Sequence, residues 1–462
     1  MARAERYPRL WLLLPMAVYL AFPTRGYYWD GLTFAINVEK QLPLRDLLSP
    51  SHLIYSAASL WLYQLVLGFF FKTRALFLLQ HVNGFLAGVS VFFVDRALRR
   101  RGASEETAVA GALVFAFAAT WWKFATDVDS YIPAIFCLLV ANDLIEDQRP
   151  VWKAAIWHAL AMLFHQLAIL YLVVAAVRLK PARRWLGYAA ISLGITAAVF
   201  VAAYRVTSGG FDPAQFPAWL TTHSPDSGFS FRPVANLGFT LRGTLRLFFG
   251  GKPGSVWMVA AVLAAIGLAA WFTRMPVSKS GETQWSKADT VWLAVYLAFL
   301  FFWMPQNTFY RLFYLAPAVL LALRKVPLRC IAVALFLWNG VFLIYPQARI
   351  DSNVPLRFAL DQKPHWPEGT PIAFHQFHPD LWTISYFNPQ AYWIGLPAMD
   401  AKTLDDARAD AATRGESLWL EATAYDFVEA DPAGRNWLAE HPVANVVRYA
   451  DEKHEFRFYQ LR

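Results

Sequence analysis

The chain has 462 residues, of which 57% are hydrophobic and only 16% are charged, whereas about 25% of the residues of a soluble globular protein are charged. Apolar stretches recur from residue 8 to residue 346, which excludes a soluble protein with a single membrane anchor. The net charge of +9 is typical of basic loops kept on the cytoplasmic side of a membrane. It therefore does not indicate a nucleic-acid partner.

The apolar stretches are the candidate membrane spans. In chain order they are residues 8–23, 53–71, 75–94, 107–124, 131–147, 151–164, 166–178, 185–206, 255–273, 289–304, 309–324 and 328–346. The first has a basic start but no small-x-small cleavage site after it, so we interpret it as an uncleaved span with a cytoplasmic N-terminus.

Two segments, residues 53–71 and 151–178, are ambiguous and allow two topologies. If the first crosses and the second is one helix, the inner loops between residues 72 and 153 carry Lys72, Arg74 and Lys123. If the first stays at the outer interface and the second is a hairpin, those loops carry Arg96, Arg99, Arg100, Arg101, Arg149 and Lys153. The positive-inside rule favours the second topology. It predicts about eleven transmembrane helices and an extracytoplasmic C-terminus in the plasma (inner) membrane.

The predicted hairpin places polar residues inside the membrane. Its two helices, 151–164 and 166–178, are each shorter than the ~20 residues that a full crossing needs. We therefore expect His165 and Gln166 to lie below the outer surface, under a cavity, because non-helical backbone at that depth must face protein or water.

The sequence predicts two domains, a helical membrane domain at 1–349 and a small extracytoplasmic α/β domain at 350–462. The membrane domain includes an outer loop, 24–74, with 53–71 as its interfacial helix. A second outer loop, 207–254, is rich in Gly, Pro, Ser and Thr and is predicted to be mobile. Within that loop, 235–249 is predicted to form an amphipathic helix carrying Arg242 and Arg246.

The tail alternates between strand-like and helix-like segments. The predicted strands are TPIAFHQF, AYWIGL, SLWLEATAY and EFRFYQLR, and the predicted helices are TLDDARADAATRG and GRNWLAEH. This alternation is typical of a small α/β domain. The tail has no glycine-rich phosphate loop, so we assign no catalysis to it.

Polar side chains recur on the predicted outer side of the membrane domain. They are Asp30, His52, Asp127, Asp129, Tyr131, His165, Gln166, Asn307 and Arg311. Ionisable groups in a membrane are costly and usually face a cavity or a partner, so their convergence from four segments predicts a site. Each also has a structural interpretation: the aspartates as helix caps, His165 as a satisfied interior residue, Arg311 as a snorkelling side chain.

The order of these motifs resembles that of the GT-C membrane glycosyltransferases. The acid at Asp30 is followed by SPSHLIYSAASLWLYQL, QHVNGFLAGVSVFFV, TWWKFATDVDSYIPAIF and FHQLAILYL. The branch that resembles protein O-mannosyltransferases has a Phe-Trp followed by Ala-Glu-Val-Tyr, where this chain has Trp121-Trp122 and then Val128-Asp129-Ser130-Tyr131. The His165-Gln166 pair and Asn83 also match. The resemblance covers residues 8–180, and Asp129 stands where the longer glutamate is usual.

The resemblance implies transfer of a sugar, with inversion, from a polyprenyl-phosphate carrier to a protein, lipid or glycan acceptor on the outer face. Asp30 is the expected base, and Asp129 and Tyr131 would orient it or the acceptor. Arg311, with Arg242 or Arg246, would hold the phosphate. The expected contacts to the sugar or phosphate come from His52, His165, Gln166 and Asn307.

Several points stay open in the sequence. A transporter or flippase would also bury polar groups, although no matching internal repeats are found. A non-catalytic lipid-binding assembly partner is a second alternative. The cofactors are unknown: Cys137 and Cys330 form no metal motif, and a divalent cation stays an alternative. The sequence identifies neither the sugar nor the acceptor.

Overall fold

The computed structural model of the chain describes residues 12–69, 72–221, 228–272, 286–322 and 328–462. Contacts divide the chain into two units. The first holds residues 1–24 and 34–348, and the second holds residues 25–33 and 349–462. Part of the first predicted span, residues 8–11, lies outside the described residues, as do four basic residues of the predicted inner loops: Arg274, Lys279, Arg324 and Lys325.

The first unit is built of helices. Their bounds are α1 Leu13–Ala21, α2 Trp29–Glu39, whose first turns belong to the second unit, α3 Leu44–Leu47, α4 Tyr55–Phe69, α5 Ala75–Arg100, α6 Glu105–Phe117, α7 Ala119–Ala125, α8 Tyr131–Glu146, α9 Val151–Phe164, α10 Tyr171–Arg178, α11 Ala182–Ser208, α12 Phe216–Leu220, α13 Pro233–Phe248, α14 Val256–Phe272, α15 Lys287–Phe302, α16 Leu315–Ala322, α17 Leu328–Asn339 and α18 Tyr345–Gln347. Short 3-10 turns lie at Pro50–His52, Gln166–Leu170 and Phe309–Tyr314.

Among the described residues, three helical segments are long and apolar enough to cross a membrane: α5, α11 and the continuous stretch Leu328–Gln347. Helices α6 and α7 add a fourth if they form one span, which is bent by 67°. The bend lies at Ala118, whose extended backbone (ψ 132°) interrupts the helix. The chain is a multi-pass membrane protein, and the count of about eleven spans stays a prediction.

Residues 151–178 fold as a hairpin rather than as one long helix. His165 has an extended backbone, with φ −157° and ψ 123°, and it ends α9. The chain then returns through a 3-10 turn and α10, whose last residue, Arg178, forms an ion pair with Glu146 at the end of α8. Helix α9 begins shortly after α8 ends. The two ends of the hairpin that lie away from its turn, Val151 and Arg178, are therefore at the same end of the helix bundle.

That end, which we call the charged end, carries a network of four arginines and four carboxylates. The network comprises Arg96, Arg100, Arg101, Arg178, Asp143, Glu146, Asp147 and Asp289. It joins the ends of α5, α8 and α10 to the first turn of α15. Asp289 is only 1% exposed, so its charge depends on its arginine partners. The hairpin topology predicted from the sequence also places these helix ends on one side of the membrane.

The predicted mobile loop, residues 207–254, contains α12 and α13 among its described residues; residues 222–227 lie outside them. Helix α13 corresponds to the predicted amphipathic helix. Its buried residues are Asn236, Thr240, Gly243 and Leu247, which recur at helical spacing and therefore form one packed face.

The second unit contains a five-stranded sheet in the order β2-β1-β3-β5-β4. Its elements are α19 Val354–Gln362, β1 Pro371–Phe374, α20 Pro379–Phe387, β2 Tyr392–Gly395, α21 Ala401–Thr413, β3 Trp419–Glu421, α22 Ala422–Ala430, α23 Pro432–Glu440, β4 Val443–Ala450 and β5 Glu455–Leu461. Strand β1 pairs in parallel with β2 and β3, and β5 pairs antiparallel with β3 and β4. The predicted α/β character is confirmed.

Helices α19, α20 and α22 were not predicted, and two strands also differ from the sequence analysis. The predicted strand SLWLEATAY is short, because Glu421 caps a helix: its carboxylate accepts from the backbone N–H of Thr423 at 2.8 Å, and α22 begins at Ala422. Strand β4 was not predicted. Its mostly exposed positions carry little hydrophobic alternation, which is the signal that identifies a half-buried strand.

Candidate active site

The residues between α7 and α8, Thr126 to Ser130, form a buried non-helical loop. Asp127 and Ser130 are fully buried, and Asp129 is 1% exposed. Backbone groups at such a position need hydrogen-bond partners from the protein. The loop therefore depends on hydrogen bonds from neighbouring segments, among them the backbone N–H of Thr24, which donates to the carbonyl of Thr126 at 3.0 Å.

Two amide side chains of α5 hold this loop. The Nδ2 group of Asn83 donates to the carbonyl oxygens of Asp127 and Asp129, both at 3.0 Å. One turn earlier, the Nε2 group of Gln80 donates to the carbonyl of Thr126 at 3.1 Å. Residues three apart lie on the same helix face, so α5 presents both amides to the loop. The sequence analysis identified Asn83 and missed Gln80.

A chain of polar groups runs from the loop to the turn that carries His52. The Nδ1 atom of His52 lies 2.6 Å from the hydroxyl oxygen of Ser130. That hydroxyl lies 3.5 Å from Oδ1 of Asp129, which also accepts from the backbone N–H of Tyr131 at 3.1 Å. Ser130 had no predicted role, and its only sequence signal is its place beside Asp129.

The hairpin brings a second histidine to the same place. The ring centroid of His165 lies 5.2 Å from that of His52 and 4.9 Å from that of Tyr131. Its Nδ1 atom accepts from the backbone N–H of Leu167 at 3.2 Å, so the proton of the neutral ring is on Nε2. Tyr310, which the sequence analysis missed, lies 5.5 Å from His165. We call His52, Asp129, Ser130, Tyr131, His165 and Tyr310 the histidine cluster.

Two other predicted site residues bind backbone groups. The Nε2 group of Gln166 donates to the carbonyls of Pro50 and Leu220 at 3.0 and 3.2 Å. It thereby ties the hairpin to the 3-10 turn that carries His52. The side chain of Asn307 accepts from the backbone N–H of Phe309 at 3.1 Å, so it caps the turn that leads to Tyr310.

Arg311 is completely buried, next to α13. Its guanidinium donates to the carbonyl of Pro305 at 2.6 Å, to the carbonyl of Phe239 at 3.4 Å and to the hydroxyl of Tyr314 at 3.1 Å. A Cβ atom at Gly243 would lie 2.2 Å from its Nε, so the α13 backbone packs directly on the guanidinium. Phosphate binding by Arg311 stays a prediction, and it requires α13 to move aside.

The other two predicted phosphate ligands lie on a different face of α13. Arg242 and Arg246 are exposed, whereas the face toward Arg311 is the buried one that contains Gly243. The structure therefore does not bring the three arginines together.

Asp30 belongs to the second unit and lies in the first turn of α2, which begins at Trp29. It is thus inside the helix rather than at the N-cap position. In the same unit, the ring of Tyr27 stacks on that of Phe387 at 5.6 Å, and the rings of Tyr28 and Trp29 are 5.9 Å apart. These contacts pack Tyr27 within the second unit, whereas Trp29 stays 43% exposed.

Comparisons with known proteins rest on the fold. No known protein-family profile matches the sequence, and no curated protein matches it. The crystal structure of apo ArnT from Cupriavidus metallidurans matches over 98% of both chains, with a TM-score of 0.52 and 12% identity. The chain has the GT-C fold. The fold that the resemblance to that superfamily predicts is thereby confirmed.

Two further structures are similar to the chain. ArnT from the same organism bound to undecaprenyl phosphate matches over 98% of both chains, with a TM-score of 0.51 and 13% identity. The oligosaccharyltransferase of Archaeoglobus fulgidus matches over 99% of this chain and 74% of its own, with a TM-score of 0.41 and 10% identity. The narrower likeness to the O-mannosyltransferase branch stays a prediction. Among the described residues, no three His, Cys, Asp or Glu side chains are grouped to hold a metal ion.

Proposed function

We propose that the chain is a glycosyltransferase that takes a sugar from a polyprenyl-phosphate carrier. The main observation behind this proposal is the histidine cluster, in which His52, Asp129 and His165 come from three separate segments of the chain and lie close together. Ionisable groups buried in a membrane protein usually serve a substrate or a partner. The fold supports the same conclusion, since ArnT, which shares it, has been crystallised with undecaprenyl phosphate.

The proposed reaction is a direct displacement at the anomeric carbon. The hydroxyl oxygen of the acceptor forms a bond to that carbon while the bond from the carbon to the carrier's phosphate oxygen breaks. The electron pair of the broken bond leaves on the phosphate, and Asp30 accepts the hydroxyl proton. A carboxylate within hydrogen-bond reach can serve as such a base. One displacement inverts the configuration of the sugar.

The histidine cluster offers donors for the phosphate or for sugar hydroxyls. The Nε2–H of His165 is such a donor, and donors that face a developing negative charge stabilise it most when they are already oriented. Ser130 and the backbone N–H of Leu167 orient the two imidazoles through their Nδ1 atoms. In this proposal Asp129 holds Ser130 and the start of α8, and Tyr131 and Tyr310 provide ring surfaces beside the histidines.

The test uses the purified full-length chain and undecaprenyl-phosphate-linked sugars with a membrane extract as the source of acceptors. We expect release of undecaprenyl phosphate together with transfer of the labelled sugar. His52→Ala and His165→Ala should lose this activity, whereas His81→Ala, which alters an exposed histidine of α5, should keep it. Movement of an intact sugar-lipid across reconstituted vesicles, without its cleavage, would instead establish a flippase.

A further inference from the structure

A depression opens at the charged end, between the start of α11 and the start of α15. Its volume is about 530 Å³. Its polar lining consists mainly of Glu146, Arg178, Lys180, Arg184, Ser286 and Lys287, and we call it the basic depression. The basic depression lies at the charged end, where α8 and α10 end. His165 of the histidine cluster lies at the turn of the hairpin, away from that end.

The charges of the basic depression do not balance. Four cations line it, with one carboxylate, and that carboxylate, Glu146, already forms ion pairs with Arg101 and Arg178. In the part of the chain that the structure describes, Lys180, Arg184 and Lys287 form no ion pair. Among the described residues, the depression therefore presents three positive charges that no carboxylate compensates.

Two helix N-termini reinforce this positive potential. Helices α11 and α15 both begin at the depression, and neither has a side-chain hydrogen bond at its N-cap, which is Pro181 in α11 and Ser286 in α15. The unpaired N–H groups of a first helical turn favour anions. Asp289, the acid in the first turn of α15, is bound by Arg101 and Arg178 and so leaves this preference in place.

One lining residue of the depression, Arg178, has a buried polar atom without a hydrogen-bond partner among the described residues. The side chain of Arg178 is 10% exposed, and its Nε has no hydrogen-bond partner among the described residues. A buried N–H group of an arginine is costly to leave unsatisfied. This observation is independent of the charge count and also points to an anionic or acceptor ligand.

Apart from Gln148, the remaining lining is apolar, which favours a lipid over a free ion. Ile145, Val177, Leu179 and Ala288 contribute to the same depression. In a multi-pass protein the ends of the helices lie near the lipid head groups. Basic pockets between helices at this level hold anionic phospholipid head groups. We propose that the basic depression binds the phosphate head group of an anionic phospholipid, at a site separate from the histidine cluster.

The main experiment compares lipid retention by the full-length chain. The protein is purified in detergent with equal amounts of phosphatidylglycerol and phosphatidylcholine, and each retained lipid is counted by native mass spectrometry. The wild type should retain phosphatidylglycerol preferentially. The triple variant Lys180→Gln, Arg184→Gln, Lys287→Gln should lose that preference by about tenfold or more, because each basic residue near the surface contributes appreciably.

A matched variant separates a defined site from general attraction. Arg149→Gln, Lys153→Gln, Arg183→Gln removes three exposed cations from the same end of the bundle, none of which lines the depression. It should keep the preference for phosphatidylglycerol. An equal loss in both triple variants, or no preference in the wild type, would overturn the proposal.

Two further measurements complete the test. If the first triple variant does not fold, the single change Arg184→Gln replaces it, and thermal unfolding identifies which variants are folded. Inorganic phosphate, added to the delipidated protein, should raise its unfolding temperature less than phosphatidylglycerol does. Equal protection by phosphate alone would show that the site takes a free anion, which contradicts a lipid site. None of these measurements depends on glycosyl transfer.

Discussion

The Nδ1 atom of His52 and the hydroxyl oxygen of Ser130 are 2.6 Å apart, although 78 positions separate the residues in the chain. A serine hydroxyl has one proton to donate, and this hydroxyl faces both His52 and the carboxylate of Asp129. If the proton is directed to Nδ1, the neutral imidazole carries its own proton on Nε2. If the proton is directed to Asp129, the opposite tautomer forms. Ser130 therefore determines which nitrogen of His52 can donate to a ligand.

The first prediction follows from this contact. Ser130→Ala should lower sugar transfer by about fivefold or more, because a lost hydrogen bond is worth about 1 kcal/mol and the tautomer is no longer fixed. It should also move the pH–rate profile, since His52 loses its partner. Ser130→Thr, which keeps the hydroxyl, should restore the profile. A lower unfolding temperature with an unchanged profile in Ser130→Ala would assign Ser130 a structural role alone.

The histidine cluster also shows which site residues a sequence can identify. His52, Asp129 and His165 were predicted because ionisable side chains are rare in apolar segments and so are conspicuous there. Ser130, Gln80 and Tyr310 were missed because small polar, amide and aromatic side chains are ordinary in such segments. Their importance comes from contacts between distant parts of the chain, and periodicity and composition do not record those contacts.

The same contrast holds for the helix breaks. The break at His165 was predicted, because two polar residues interrupt an apolar stretch. The bend of 67° between α6 and α7 was not, because residues 114–117 before Ala118 are all apolar and neither proline nor glycine lies beside it. The bend is stabilised from outside: the amide of Asn339 in α17 donates to the carbonyl of Phe117 at 2.8 Å.

The second prediction concerns Asp30 as the base. Asp30→Asn keeps the size of the side chain but cannot accept a proton, so transfer should fall by ~10²–10⁴-fold. Binding of undecaprenyl phosphate should persist, because the carrier's contacts are assigned to other residues. Transfer rate, carrier affinity and unfolding temperature are measured on the same preparation. Near-native transfer by a folded Asp30→Asn protein would eliminate the base role, and Asp129 would be the next residue to test.

The third prediction tests the topology. Helix α11 has 27 residues and, at ~1.5 Å per residue, is long enough to cross a bilayer. Single cysteines at Arg149, near the charged end, and at Ser208, at the far end of α11, are introduced into a chain that lacks Cys137 and Cys330. Only Ser208→Cys should react with a membrane-impermeant reagent applied from outside intact cells.

Both introduced cysteines replace residues that are exposed on the protein. A difference in labelling therefore reports the side of the membrane rather than burial of one position. Lysed cells should label both positions. Outside labelling of Arg149→Cys would reverse the predicted orientation and place the basic depression in the outer leaflet.

The last prediction concerns the packing of α13 on Arg311. A methyl group at Gly243 would lie 2.2 Å from Nε of Arg311, which is far inside van der Waals contact. The guanidinium is buried and bound to the carbonyls of Pro305 and Phe239, so it cannot move away without losing those hydrogen bonds. Gly243→Ala should therefore destabilise the protein by ~1–3 kcal/mol, the usual range for overpacking.

Gly238, in the same helix, provides the control, because a Cβ there meets no atom within 4 Å. Gly238→Ala should leave stability unchanged or raise it by up to ~1 kcal/mol, since alanine favours helix formation over glycine. The two variants are compared by thermal unfolding and by undecaprenyl phosphate binding. If α13 moves aside to let phosphate reach Arg311, Gly243→Ala should weaken the packing of α13 and keep or increase the affinity for undecaprenyl phosphate. Arg311→Ala should then lose that affinity. Equal carrier affinity in a folded Arg311→Ala protein would restrict Arg311 to holding α13 in place.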